Sequence, residues 1–168
     1  QYRNYDDLLS GLNFFNDSIG IISSAHDIYQ VNLNSDEIDT VWSMKDQEFF
    51  TYGAIHSMIF SNDSLGFAIG TIAKRISNPD LSDLFGIIIK TKNSGKDWST
   101  IFYSDSILFM NNADIIVNNN QVYAIDDLTL FYTNIYSDDP TWNTIEIPYS
   151  LADIGSLSKS SITSVFFT

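Results

Sequence analysis

The chain has 168 residues, 44% hydrophobic and 14% aromatic, enough for one packed core and far from the composition of a disordered segment. Its 21 acidic against 8 basic residues leave a formal charge of −13, which repels phosphate backbones and anionic membrane surfaces and argues against nucleic acid as a partner. With no cysteine, disulfides and thiolate metal sites are excluded, and no stretch reaches the roughly 20 apolar residues of a membrane-spanning helix.

In chain order, short runs rich in Val, Ile, Tyr and Phe alternate with Gly, Asn, Asp and Ser, the punctuation of strands and turns. The first unit reads GLNFF from Gly11, GIISSA from Gly20, DIYQVN from Asp27 and TVWSM from Thr40. Its first turn, Asn16-Asp17-Ser18, recurs 46 residues later as Asn62-Asp63-Ser64, and each copy leads through one hydrophobic residue to a glycine, Gly20 or Gly66. Asn and Asp suit such turns because their side chains bond nearby backbone groups and tolerate left-handed conformations. The second unit reads SMIFS from Ser57, GFAIGTIA from Gly66, GIIIKT from Gly86 and WSTIFY from Trp98. A weaker third gives DIIVNN from Asp114, QVYAID from Gln121, TLFYTN from Thr129 and WNTIEIP from Trp142. SITSVFFT at 161–168 resembles the opening strand of a fourth. Trp42, Trp98 and Trp142 each start or sit in the fourth strand of their unit, which marks them as repeat anchors. The spacing predicts an all-β chain of four-stranded antiparallel units over 12–54, 55–108 and 109–155, with the next unit starting at 161–168.

Thr91-Lys92-Asn93-Ser94-Gly95-Lys96-Asp97-Trp98 resembles the Asp-box, or BNR repeat: Ser or Thr, any residue, Asp or Asn, any residue, Gly, two of any, then an aromatic. The preceding GFAIG resembles the strand that accompanies it in propellers of the photosystem II stability and assembly factor type and in related secreted bacterial proteins. The likeness is good over 55–103, moderate over 12–44 and poor over 114–148. It implies a single β-propeller domain over 1–168, built of four-stranded blades, in an extracytoplasmic bacterial protein that is secreted, periplasmic or on the cell surface. In such a knot the Asn93 side chain accepts backbone N–H bonds, Gly95 supplies a positive φ, Thr91 adds a hydroxyl bond and Trp98 buries its ring between sheets. The other hairpins depart from the pattern. Val31 to Trp42 is longer and lacks glycine, and Thr133 to Trp142 carries Ser-Asp-Asp-Pro. Three units and one strand do not close a ring of four to eight blades, and the chain starts at Gln1 rather than Met. The expectation is therefore a longer or processed polypeptide, or a second chain that completes the ring.

Catalytic, cofactor and metal sites are not expected. His26 and His56 are the only histidines, without the spacing of a zinc site, and the paired acids Asp6-Asp7, Asp126-Asp127 and Asp138-Asp139 read as solvated turns. Sialidases with Asp-boxes hold the substrate carboxylate with three arginines, whereas this chain has only Arg3 and Arg75. AKRISNPDLSDLF, residues 73–85, lengthens one connection by about a dozen residues and is the best place to look for a contact surface, the alternative being a tolerated surface insertion. Asp-Ser before Ile or Leu at Asp17, Asp63 and Asp105 resembles the O-glycosylation signal of secreted Bacteroidetes proteins, although the repeated turn accounts for two of the three. The reading is a non-enzymatic extracytoplasmic binding or assembly scaffold whose partner is a protein or a glycan. The competing reading is a glycoside hydrolase propeller with catalytic acids partly outside the chain, which needs two carboxylates roughly 5 to 10 Å apart.

Overall fold

The computed structural model describes residues 9–47, 50–75, 82–109, 113–126, 129–137 and 140–146. The described strands are β1 (Leu9–Phe14), β2 (Ile19–Ser24), β3 (Asp27–Asn32) and β4 (Glu37–Ser43), then β5 (Phe50–Phe60), β6 (Gly66–Arg75), β7 (Ser82–Thr91) and β8 (Ser99–Ser104), then β9 (Asp114–Asn118), β10 (Gln121–Asp126), β11 (Thr129–Asn134) and β12 (Asn143–Glu146). They form three antiparallel four-stranded sheets in which every strand pairs with its neighbour in the chain. The fold is all-β, and its strands overlap the runs that the turn punctuation marks. Several bounds differ: β1 starts at Leu9, β4 at Glu37 and β7 at Ser82, each ahead of the predicted run, and residues 50–54, which the spacing assigns to the first unit, open β5 and pair with β6. SITSVFFT, Asp6-Asp7, Arg3 and most of the paired acids lie outside the described residues.

The two Asn-Asp-Ser turns are built alike. Asn16 Oδ1 accepts the backbone N–H groups of Ser18 and Ile19 at 2.9 Å each, and Asn62 Oδ1 accepts those of Ser64 at 2.9 Å and Leu65 at 3.0 Å. Both connect the first and second strands of their sheets. The first strands also share a bulge, at Ser10 and at His56, so the 46-residue repeat extends to irregularities. The third sheet solves the same corner differently. Asn119 and Asn120 both take positive φ, 47° and 65°, between the paired Asn118 and Gln121, as a two-residue type I′ hairpin requires.

The sheets stack in chain order, and alternate side chains enter successive joints. Ile21 and Ile28 from the first sheet meet Ile55, Ala68, Ile87 and Ile89 of the second. From the second sheet's other face, Phe67, Ile69 and Ile88 meet Ile115, Val122, Ala124 and Phe131 of the third. We call the face turned to the following sheet the front and the other the back. The middle sheet is covered on both faces, which is why GFAIGTIA and GIIIK read as nearly unbroken apolar runs. The first strands lie side by side: β1 touches β5 and β5 touches β9. Gly11 of β1 has no side chain where Met58 of β5 presses in, and Ser57 Oγ donates to Asp114 Oδ1 across the next pair at 2.8 Å.

The segment 73–85 is less of a loop than its sequence suggests. β6 and β7 stay paired to Arg75 and Ser82, so most of the extra length is a longer hairpin.

Candidate functional site

Thr91, Asn93, Gly95 and Trp98 come together in the β7–β8 hairpin. Thr91 Oγ1 accepts the Gly95 N–H at 3.0 Å and donates to Asn93 Oδ1 at 3.0 Å. Asn93 Oδ1 also accepts the Asp97 N–H at 2.9 Å, and its amide donates to Asp97 Oδ2 at 2.7 Å. Ser94 and Gly95 take positive φ, 62° and 78°. The Trp98 indole N–H donates to the Gly95 carbonyl at 2.9 Å, while the half-buried ring meets Phe60 edge-on at 6.0 Å. A Cβ at Gly95 would come within 2.7 Å of Ile21 of the first sheet, so the knot sits directly on its neighbour.

The three tryptophans are not equivalent. Trp98 and Trp142 both directly precede the fourth strand of their sheets and pack on the joint with the preceding sheet, Trp142 meeting Phe102 at 5.6 Å. Trp42 instead lies at the far end of β4 opposite Ile28, on the front face of the first sheet. The cause is register: Ile38 stands opposite Val31 in β4, which leaves Trp42 several residues farther along. The Trp142 indole N–H is buried with no hydrogen-bond partner among the described residues. The first-unit hairpin is tighter than expected, with only 33–36 between the paired Asn32 and Glu37, and Asp36 takes the positive φ of 54° in place of a glycine.

A groove of about 250 Å³ opens where the second and third sheets meet at their hairpin ends. The Asn62 turn and Leu65 form one side, Lys90 and Lys92 the floor, and Ile135 with Tyr136 from the β11–β12 hairpin the other side. Lys90 is 3% exposed. Its Nζ donates to the Ser137 carbonyl at 2.8 Å and lies 5.8 Å from the centre of the Phe67 ring. Tyr136 is 62% exposed, a free aromatic face beside two ammonium groups. Asn62 Oδ1 is taken by the turn and its Nδ2 donates to Ser61 Oγ at 3.5 Å, which leaves one amide N–H to offer a ligand. Among the described residues no carboxylate lines the groove, although the chain carries −13 overall. The sequence hides this site because its residues come from 62–65, 90–92 and 135–136.

The histidines stand apart. His26 lies in the β2–β3 turn, where its carbonyl accepts the Met44 N–H at 2.9 Å. His56 lies at one of two bulges in β5. Its Nε2 is buried without a hydrogen bond among the described residues, and burial pulls its pKa below 6.5. Among the described residues no three His, Asp or Glu side chains gather as a metal site. Among the described residues Asp27 gathers three polar partners: it accepts from Ser43 and Tyr29 and pairs with Lys45 at 3.5 Å. No protein-family model matches the chain, and neither does any curated protein sequence.

Proposed function

We propose that the chain is a non-enzymatic, extracytoplasmic binding or assembly scaffold built as an Asp-box β-propeller, with a protein or glycan partner. The front-to-back stacking of sheets and the adjacency of β1, β5 and β9 support the propeller reading, since blades of a propeller place their first strands around a common axis. The Thr91 to Trp98 hairpin supports the Asp-box assignment through its bonding.

The observation that carries the binding reading is the groove between the second and third sheets. Lys92 and the Asn62 amide bring donors to the groove above the buried charge of Lys90, and Tyr136 offers a ring face. That set suits an acceptor-rich anionic group: a carboxylate or sulfate on a sugar, or an acidic side chain.

The test is a titration of the isotope-labelled chain followed by NMR, with trigalacturonate, neutral galactotriose and inorganic sulfate as probes. The acidic trisaccharide should move the Asn62, Lys92 and Tyr136 resonances, and Lys92→Glu should weaken it about tenfold, the worth of one charged hydrogen bond of roughly 1.5 kcal/mol. Identical response to the neutral sugar, or none to any probe, would remove the groove from the reading.

A further inference from the structure

Most of the exposed large apolar side chains among the described residues lie on the back of the first sheet and its β3–β4 turn. Leu9, Leu12, Phe14, Leu33 and Ile38 are 70%, 62%, 45%, 57% and 68% exposed. Isolated exposed apolar residues are ordinary, but four on one sheet face with a fifth on the adjoining turn mark a surface that something covers.

The repeat says what fits there. At 46-residue spacing Leu9, Leu12 and Phe14 correspond to Ile55, Met58 and Phe60, and those three pack in the joint beneath the first sheet's front face. Leu33 has a counterpart too. Leu33, Ser94 and Ile135 each donate a backbone N–H to the first turn of their own sheet, at 2.8, 3.0 and 3.0 Å. Ile135 is 3% exposed against the second sheet, whereas Leu33 is open. The chain thus shows twice what covers such a back face: the front face of a preceding sheet of the same kind.

One front face in the chain has no following sheet among the described residues, that of β9–β12. It carries Ile116, Leu130, the half-exposed Ile145 and a Tyr123–Tyr132 stack at 5.9 Å, with Tyr123 at the position held by Ile21 and Phe67 in the other two. Among the described residues both end faces are nearly free of charge, in a chain of −13. Asp27 at the rim of the first is bonded to Ser43 and Lys45, and Asp114 at the inner end of the other is bonded to Ser57.

From these matched halves we infer that the back face of β1–β4 docks the front face of β9–β12 from a second copy of the chain, and that two such joints close a six-sheet ring. A joint between unlike faces polymerises unless its rotation closes, and six sheets lie within the four to eight of propellers. Closure rests on the propeller reading above; the joint rests on the two internal joints.

The test is size-exclusion chromatography with light scattering. The wild-type chain should run at twice its 19.0 kDa mass across micromolar to millimolar concentration. Leu12→Asp/Ile38→Asp removes the back face and Tyr132→Asp/Ile145→Asp the front face; each variant alone should be monomeric, and the equimolar mixture should recover a one-joint pair. Should a variant misfold by circular dichroism, single cysteines serve instead: the chain has none, and Ile38→Cys mixed with Ile145→Cys, both on outermost strands, should give a disulfide-linked heterodimer in preference to either homodimer. A monomeric wild type, an open polymer, or pairing by a front-face variant alone each overturns the proposal. A monomer that still binds trigalacturonate would do so while leaving the binding module intact.

Discussion

Gly95 answers two demands at once. Its φ of 78° disfavours any side chain, and the space where a Cβ would go is occupied by Ile21. A left-handed non-glycine residue costs about 1–2 kcal/mol before any clash. Gly95→Ala should therefore lower stability by about 2 kcal/mol in urea titration, whereas Ser94→Gly, at a φ of 62°, should lose nothing. His56 gives a second residue-level expectation. Burial lowers its pKa in the folded chain below 6.5, so the unfolded chain binds the proton more readily. Stability is then complete above about pH 6.5 and declines as the pH falls below it. Denaturation midpoints measured from pH 8 to 5 should drop on the acid side, and His56→Phe should flatten that slope.

Hairpins carry the register at the next scale up. Trp98 closes the β7–β8 hairpin through its bond to the Gly95 carbonyl and packs on the joint with the first sheet. Trp98→Ala should cost about 3 kcal/mol, the lower end for a large aromatic because the ring is only half-buried. Trp98→Phe should cost about 1 kcal/mol, the bond alone; equal losses for the two would show that the ring is not anchored in the joint. The strands were legible because turn chemistry is local. Asn16 and Asn62 bond their own backbone, so the same three letters make the same corner wherever they occur. What stayed illegible depends on register. Trp42 shares a residue type with Trp98 but not a position, and only the pairing of Val31 with Ile38 shows it. Asn119-Asn120 makes a type I′ corner that the Asn-Asp-Ser pattern does not announce.

For the molecule as a whole, burial is uneven. Among the described residues the middle sheet is covered on both faces and the outer two on one. Hydrogen exchange should therefore be slowest in β6 and β7, around Ile69, Ile72 and Ile88, and faster in β4 and β12; slowest exchange in β4 or β12 would contradict the stacking. The groove was invisible in the sequence for the same reason that it exists. Lys90 ends an apolar run and reads as a strand leaving the core, yet the third sheet folds over it and its ammonium reaches Ser137. The pairing of each strand with its chain neighbour has a kinetic consequence as well. Every ladder closes by a short hairpin, so no strand waits for a distant partner, and the entropy lost in forming each sheet is that of small loops. Such a chain has low contact order for an all-β protein and should refold on the fast side of that class, with the slow step falling on the docking of finished sheets.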